Sequence, residues 1–454
     1  MLLLALLLFS PPLSMLSSAQ SNVHLNLNPS FFEFIEQPVA HEIKQLISNA
    51  ALPDIEQYVF PVNINVDSLS ITDFLVSSFT FLPTDNGIHI ESFGGYVDVR
   101  GNLKTKLGIL PAVGNELNVH FSDFKTTMFA TLRPDSSNLI LGIQDFAFSV
   151  NEIDPKISGF FVATIANIFK SKIVDSIRSV IEDKVNAQIK DLNGKTLLAI
   201  HRSYPILTGL NLTVSLTDTP KISAKGVSFD SLFSFDSLNS DSCSFNKSLE
   251  GFAAATNAMA TVQASDEILK CFLENVNNFV FTENTSPIFS KYLATTCEAG
   301  CVGSYLPALS SEYKGQSVSL ILSELQEPEV KASNDSINFS LQYNVVMNLA
   351  KTNNTLASMG LNASGAVRPY IENGKVVSKV TDLDMRIKEN PSVLGSLFAG
   401  NTWMIQGMME GLLKEALETG ATIPLLYGVQ LTDGSTLTVQ EDTILLEANL
   451  ADAV

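Results

Sequence analysis

The chain has 454 residues, of which 45% are hydrophobic and 17% are charged, and its formal net charge is −19. This composition excludes a disordered chain. The charge amounts to −5 over residues 20–225 and −14 over residues 226–454. It excludes a nucleic-acid partner, because phosphate backbones repel an acidic surface.

The first 19 residues have the pattern of a signal peptide. A short apolar run, Leu2–Phe9, is followed by two prolines and by the small residues Ser17-Ser18-Ala19. The run is too short to span a bilayer, and no later stretch has about eighteen uninterrupted apolar residues. We therefore expect an exported, extracellular protein.

A helix and then a meander are predicted next. Ser30 and Glu33 form a capping-box pattern at the start of an apolar stripe with helical spacing. Pro38 either kinks this helix or marks its true start. Over residues 58–150 the period changes to two, as in Val62-x-Ile64-x-Val66, which predicts an antiparallel meander of about five strands. The helical stripe comprises Phe31, Phe34, Ile35, Val39, Ile43, Leu46 and Ile47.

A long amphipathic helix is predicted over residues 158–192, and Asn193-Gly194 ends it. Strands follow at 206–216 and 221–233, and the Ser/Asn/Asp-rich stretch 236–248 is the best linker candidate. The stripe of the long helix comprises Phe161, Ile165, Ile168, Phe169, Ile173, Ile177, Val180 and Ile181.

The same order returns in the second half, which indicates an internal duplication. Ser265-Asp266 opens a helix, alternating strands run from 317 to 387, and a second helix extends from Pro391 to Gly420. A strand pair, 423–431 with 436–446, closes the chain. The first of these helices presents Ile268, Leu269, Phe272, Val276 and Phe279. The second presents Val393, Leu394, Leu397, Phe398, Met404, Ile405, Met408, Leu412 and Leu413.

Cysteines and sequons agree with export. Four cysteines in an oxidising compartment favour disulfide bonds, with three connectivities open, and a zinc site is the competing interpretation of Cys297-x-x-x-Cys301. The cysteines are Cys243, Cys271, Cys297 and Cys301. The N-glycosylation sequons lie at Asn211, Asn246, Asn284, Asn334, Asn338, Asn353 and Asn362.

Motifs for catalysis are missing from the sequence. There is no G-x-S-x-G nucleophile elbow, no H-E-x-x-H helix and no Gly-rich phosphate loop. The five histidines are isolated from one another and from the cysteine pair. We therefore expect a protein that is not an enzyme and that uses no cofactor and no metal ion.

The sequence resembles the lipid-binding serum glycoproteins. This family includes bactericidal/permeability-increasing protein, lipopolysaccharide-binding protein, and the phospholipid and cholesteryl ester transfer proteins. The resemblance is diffuse and spans residues 27–446. It is carried by the order of elements and by Asn28-Pro29, Asn186-Ala187-Gln188, Ala253-Ala254-Ala255, Ser265-Asp266-Glu267-Ile268-Leu269, Ala421-Thr422-Ile423-Pro424-Leu425, Val439 and Ile444-Leu445-Leu446.

The resemblance implies an α+β fold shaped as a boomerang of two similar barrels. Each barrel is a twisted antiparallel sheet wrapped around a long amphipathic helix, and a central sheet joins the two. We expect a signal peptide over 1–19, a first lipid-binding barrel over 20–235, a linker with a central-sheet strand over 236–262, and a second barrel over 263–454.

The resemblance also implies two apolar pockets. One lies under Phe161–Ile181 with the first helix, and the other under Phe272–Phe279 with Met404–Leu412. The implied lipid-binding residues are Phe31, Phe34, Ile35, Ile43, Ile47, Phe161, Ile165, Ile168, Ile173, Ile177, Ile181, Phe272, Val276, Phe279, Leu397, Met404, Met408 and Leu412.

Two departures from the family pattern bear on function. No cysteine precedes Cys243, so the disulfide that ties sheet to helix in several family members is absent, and Lys190 occupies about the position of the helical cysteine. The hairpin that is strongly basic in lipopolysaccharide-binding members keeps only Arg100, Lys104 and Lys106 here. These three residues share one strand face and are the candidates for binding lipid headgroups.

The leading hypothesis is a secreted, monomeric carrier or transfer protein. It binds phospholipid or another acyl lipid and makes transient contact with membrane or lipoprotein surfaces. The alternative is innate-immune recognition of a bacterial envelope lipid of the lipopolysaccharide type, with an antibacterial role. A third hypothesis is an extracellular structural or odorant-type binding protein that uses the same fold for another small apolar ligand.

Overall fold

The computed structural model describes most of the chain between residues 21 and 452. The described residues are 21–59, 62–107, 112–135, 138–157, 162–194, 201–207, 210–237, 249, 257–277, 280–285, 287–333, 335–389, 403, 406–411, 414, 421–422 and 429–452. The predicted signal peptide and most of the predicted 391–420 helix lie outside them. Residues 403, 406–411 and 414, within that predicted helix, are helical.

Six helices and 21 strands are bounded within the described residues. The helices are α1 (Pro29–Ile47), α2 (Val162–Gly194), α3 (Glu267–Asn275), α4 (Pro287–Tyr292), α5 (Val302–Tyr305) and α6 (Pro307–Glu312). The strands in the first half are β1 (Val23–Leu27), β2 (Ile55–Val59), β3 (Val62–Thr84), β4 (Gly87–Leu107), β5 (Val113–Asp135), β6 (Asn138–Ile157), β7 (His201–Leu207), β8 (Leu210–Leu216), β9 (Lys221–Ser223) and β10 (Gly226–Ser237). Those in the second half are β11 (Ala260–Ser265), β12 (Val280–Phe281), β13 (Val318–Ser333), β14 (Ser336–Leu349), β15 (Thr355–Glu372), β16 (Lys375–Glu389), β17 (Ala421–Thr422), β18 (Val429–Leu431), β19 (Thr436–Gln440), β20 (Thr443–Ala448) and β21 (Leu450–Asp452).

The chain divides into two compact units. The first comprises the described residues within Leu27–Ala199 and Thr219–Ser228. The second comprises residues 21–26 and the described residues within Ile200–Asp218 and Phe229–Val454. The short N-terminal strand therefore belongs mainly to the second unit.

The first unit contains the predicted helix and meander. Strands β2 to β6 form one antiparallel sheet in sequence order, which confirms the predicted five-stranded meander. Helix α1 begins at Pro29 with Asn28 as its N-cap, so the predicted capping box at Ser30 is wrong. A proline is favoured at the first helical position because it lacks an N–H that would have no partner there. Pro38 lies inside the helix and does not mark its start.

The long strands of this sheet bend at residues with positive φ. Ser68 in β3, Gly94 and Gly95 in β4, Asp123 in β5 and Asp145 in β6 all have φ between 50° and 100°. The register between β3 and β4 also shifts twice, between Asp67 and Ser70 and between Ile71 and Asp73. Such bulges bend a strand and increase its twist, so strands of about 20 residues curve instead of running straight.

The second unit contains a similar sheet. Strands β12 to β17 are antiparallel and lie in sequence order, and β13–β16 occupy the region 317–387 in which alternating strands were predicted. Helix α3 packs against β13. Its N-cap is Asp266, as the Ser265-Asp266 pattern predicted. Strand β13 has two register shifts, between Glu324 and Gln326 and between Gln326 and Glu329.

Another sheet has the order β19-β20-β11-β1-β10-β8-β7. Every residue of its β1 strand is buried. The predicted strands 206–216 and 221–233 are each divided in two, and β10 continues through Ser237, inside the predicted linker.

The closing strand pair was predicted with the wrong partners. Residues 436–446 form the β19–β20 hairpin, whose turn contains Asp442 with a φ of 59°. The described part of the preceding segment, β18, pairs with β21 instead.

Candidate functional site

The apolar faces of α1 and α2 lie in the interior of the first unit. Helix α1 packs against β3 and contacts α2, and α2 packs against β6. Six of the predicted lipid-binding residues lie on the buried faces of these two contacting helices. They are Phe31, Ile35 and Ile47 on α1, and Ile173, Ile177 and Ile181 on α2.

Two predicted residues of α1, Phe34 and Ile43, are only half-buried. A side chain that is almost fully buried is in contact with protein atoms all around, whereas a half-buried apolar side chain keeps surface that a ligand can cover. Phe34 and Ile43 are therefore the α1 positions with apolar surface available to an acyl chain.

Sequence periodicity missed Phe32, which is fully buried beside Phe31. The two rings meet edge to face, with centroids 5.5 Å apart. Phe32 lies outside the narrow stripe that was assigned to α1. The sequence feature that could have predicted its burial is the cluster of three phenylalanines in four positions. A helix buried against both a sheet and a second helix needs a wider apolar face than a single stripe.

A layer of phenylalanines on the sheet completes the interior of the first unit. Phe74 and Phe124 are nearly fully buried, with stacked rings whose centroids are 5.4 Å apart. Phe148 on β6 continues this row, 5.7 Å from Phe124. The three rings come from β3, β5 and β6, one from each strand, and form a row of aromatic contacts in the interior.

The second unit brings together three of its predicted residues. Phe272 and Val276 from the α3 region and Met408 from a helical segment belong to one apolar cluster with residues of β13, β14 and β15. Met408 is nearly fully buried, whereas Phe272 and the neighbouring Met409 are half-buried. Phe235 adds a ring 5.3 Å from that of Phe272.

Several predicted lipid-binding residues lie outside the part of the chain that the structure describes. They are Phe161, Phe279, Leu397, Met404 and Leu412, together with the side chains of Ile165 and Ile168.

The three headgroup candidates lie on the exposed side of β4, and two of them have carboxylate partners. The Arg100 guanidinium is 2.6 Å from Glu116. The Lys104 ammonium donates a hydrogen bond to Asp67 and holds the pKa of that carboxyl below its ordinary value. Among the described residues, Lys106 has no carboxylate within 4.0 Å. The hairpin therefore offers little uncompensated positive charge to an anionic lipid.

An open groove with charged walls lies between α3 and the bulged part of β13. Its volume is about 720 Å³. Lys270 of α3 forms an ion pair across it with Glu327, and Lys331 and Asn338 line its other side. Burial raises the pKa of the nearby Glu274, because the charged carboxylate loses hydration there.

Cys297 and Cys301 form a disulfide, with Cα atoms 6.1 Å apart. The competing zinc interpretation of this pair is therefore wrong. Cys271 is also disulfide-bonded, and Cys243 lies outside the described residues.

The described sequon asparagines are all exposed, as glycosylation requires. They are Asn211, Asn284, Asn338, Asn353 and Asn362, whereas Asn246 and Asn334 lie outside the described residues.

No helix among the described residues is both long and apolar enough to cross a membrane. In the same part of the chain, no three His, Cys, Asp or Glu side chains are grouped as a metal site would need.

Each of the two units combines helices with an antiparallel sheet of long strands, which is the class of fold that the comparisons concern. The model of the C-terminal domain of the LBP/BPI/CETP family matches residues 210–451, which is just over half of the chain. The chain belongs to this family.

Two relatives extend the comparison over the whole chain. A BPI/LBP family protein of Arabidopsis thaliana is 22% identical over 481 residues, covering 99% of this chain and 97% of its own. The crystal structure of a lipopolysaccharide binding protein matches with a TM-score of 0.58 and 16% identity, covering 96% of this chain and all of that one. At this identity, the second match is evidence for the fold alone.

Proposed function

We propose that the protein is a secreted, non-catalytic carrier that holds phospholipid or another acyl lipid in apolar pockets, one in each unit. The observation that carries this proposal is the combination, in both units, of an amphipathic helical face with an apolar layer of a long-stranded antiparallel sheet. Membership of the LBP/BPI/CETP family supports the same ligand class.

The free energy of acyl-chain burial explains why such a carrier is useful. Each methylene removed from water contributes about 0.8 kcal/mol, so a chain of about fifteen methylenes contributes roughly 12 kcal/mol. A lipid with two such chains hardly leaves a membrane unless a protein covers the chains. The pocket walls need apolar surface and no catalytic group.

In this proposal the half-buried apolar residues contact the lipid directly. Phe34 and Ile43 do so in the first unit, and Phe272 and Met409 in the second. The fully buried residues behind them fix the shape of each pocket. The thioether of Met409 adapts to irregular partners, which suits a ligand whose chains vary.

Lipid retained by purified protein tests the proposal. The protein is expressed in a eukaryotic secretory host, purified without detergent, and examined by native mass spectrometry and lipid extraction. We expect two lipids per chain, one in each unit. The bare glycoprotein mass, together with no uptake of a fluorescent phospholipid from vesicles, would contradict the proposal.

The alternative function, recognition of bacterial lipopolysaccharide, requires cations that are free to bind phosphate. The partners of Arg100 and Lys104 disfavour this function. It predicts salt-sensitive binding to lipopolysaccharide that weakens in the triple variant Arg100→Ser, Lys104→Ser, Lys106→Ser. Unchanged binding in this variant removes the hairpin as the site.

A further inference from the structure

One end of the sheet in the second unit has an apolar face and a polar face. Ala332, Ile337 and Val367 are in register on β13, β14 and β15, and they pack with Val439 and Ile444. Neighbouring residues along a strand point to opposite faces. The residues next to these three therefore point away from that packed layer.

Two cations face each other on this outer side. Arg368 on β15 is the direct cross-strand partner of Lys379 on β16, and both are exposed. Side chains in such a pair have Cβ atoms about 5 Å apart, and like charges there destabilise the sheet. Within the described part of the chain, no carboxylate lies within 4.0 Å of either cation.

Several other cations of the described structure have carboxylate partners, and others, such as Lys106, have none; this pair is distinguished by two cations that lie directly opposite each other. Examples of cations with carboxylate partners are Arg100 with Glu116, Lys104 with Asp67, Lys270 with Glu327, and Arg386 with Asp384. The pair also lies in the part of the sequence that carries a net charge of −14. Two adjacent cations without an acidic partner in an acidic region indicate a place for an external anion.

The groove beside α3 reaches this region of the sheet. Lys331 and Asn338 line the groove, and both are exposed on the outer side of the sheet. Asn338 pairs with Ala366, two residues before Arg368. From strand spacing and rise, the Cα atoms of Lys331 and Arg368 are about 12 Å apart. Both side chains are long enough to reach a ligand that lies between them.

We propose that Arg368, Lys379 and Lys331 bind a phosphate group carried on a polyol, and that the polyol lies in the adjoining groove. The Arg368 guanidinium and the two ammonium groups supply charge-assisted hydrogen bonds to phosphate oxygens. Ser340 and Gln326 line the groove with groups that bind hydroxyls.

Carboxylates set the orientation of the ligand. Glu327 and Glu329 line the groove, and Glu329 precedes Lys331 by two residues on the same strand face. A phosphate near these carboxylates would be repelled, so the phosphate lies at the Arg368 end. The phosphate-binding end of the site is on the outer face of the sheet, whereas the groove also contains Phe339, which packs against the apolar cluster of Phe272.

Calorimetry with soluble and membrane-borne probes tests the site. The full chain from a secretory host carries Asn338→Gln, so that no glycan at this predicted sequon fills the groove. The probes are myo-inositol 1-phosphate, inorganic phosphate, uncharged myo-inositol, and phosphatidylcholine vesicles with or without phosphatidylinositol 4-phosphate. We expect myo-inositol 1-phosphate to bind in a salt-sensitive manner and myo-inositol not to bind.

Charge-matched variants separate the site from general electrostatics. Arg368→Ser with Lys379→Ser should weaken myo-inositol 1-phosphate binding at least ten-fold, whereas Arg386→Ser with Lys388→Ser, on the strand that carries Lys379, should change it less than two-fold. Equal loss in both variants, or no loss in the first, would overturn the proposal. Tighter binding to the phosphoinositide vesicles than to the soluble probe indicates that the phosphate belongs to a lipid headgroup. Binding of the soluble probe without binding to the vesicles indicates a soluble ligand. Co-purified acyl lipid, which reports on the proposed carrier function, should be the same in all variants.

Discussion

His24 has acceptor groups opposite both nitrogens of its ring. Nδ1 meets the Asp230 carboxylate, and Nε2 lies 3.0 Å from the backbone carbonyl oxygen of Leu249. A carbonyl oxygen only accepts, so Nε2 carries a proton and donates it. The hydrogen bond between Nδ1 and Asp230 needs a second proton, because an unprotonated ring nitrogen and a carboxylate both only accept. This arrangement ties β1 to β10 and to residue 249.

We predict that His24→Phe lowers the free energy of unfolding by about 2 kcal/mol, because Asp230 loses a charge-assisted hydrogen bond in a mostly buried position. Urea denaturation followed by circular dichroism measures the change. The control is His89→Phe at a half-buried histidine that lies 3.7 Å from Glu91. An equally large loss at position 89 would show that the effect does not come from the buried contacts.

Glu324 in β13 has an unfavourable charge in the folded state. Burial, followed by the charges of Glu274 and Glu327, raises the pKa of Glu324 above its ordinary value of 4.5. The folded chain therefore holds this proton more tightly than the unfolded chain. The contribution of protonated Glu324 to the free energy of unfolding is fully present below pH 4.5 and is lost as the pH rises through the raised pKa.

Glu324→Gln should therefore raise the free energy of unfolding at pH 7, and the gain should disappear below about pH 4. Denaturant titrations at pH 7 and at low pH measure it, with Glu329→Gln at an exposed position of the same strand as the control. A gain that is independent of pH would contradict the electrostatic cause.

At the scale of single elements, Gly95 allows β4 to bend. Its φ is 96°, and an added Cβ would overlap the carbonyl oxygen of Leu75 on the neighbouring strand. Gly95→Ala should lower the free energy of unfolding by about 1–3 kcal/mol through backbone strain. Thermal unfolding measures this loss, and Gly114→Ala, where an added Cβ meets no atom within 4 Å, is the control. Equal stability of the two variants would show that the bend does not need glycine.

Periodicity predicted the long elements well and their ends poorly. The five-stranded meander, the long helix and strands β13–β16 follow from stretches whose spacing stays constant over many residues. The β19–β20 hairpin was missed because the alternation in 436–446 continues through the turn at Asp442. The start of α1 was misplaced because Asn28 and Ser30 are both residues that favour N-caps.

At the scale of the whole molecule, two units with separate apolar clusters predict two independent lipid sites. Phe34→Glu with Ile43→Glu puts two carboxylates on apolar surface of the first unit, which should lower the number of co-purified lipids from two to one. Native mass spectrometry counts them. Gln37→Glu with His41→Glu, on the exposed side of the same helix, should leave the count at two.

Loss of both lipids from the variant of the first unit would contradict independent sites. The reciprocal pair Phe272→Glu with Met409→Glu in the second unit should also leave one lipid. Both variants need an unchanged circular dichroism spectrum, because a misfolded unit would also lose its lipid.

The sequence by itself determined the α+β class, the order of the long elements and the apolar faces of the helices, because periodicity and composition are local properties. It also indicated export and named three basic headgroup candidates. Only the tertiary structure decided which charges are compensated. Arg100 and Lys104 form ion pairs with Glu116 and Asp67, so they are less available to an anionic ligand. Both carboxylates lie on strands next to β4. Arg368 and Lys379 become neighbours through strand pairing alone. Electrostatic partners depend on the register between strands. The alternation within one strand determines which face a residue occupies, but the turns that join the strands determine which residues lie opposite each other.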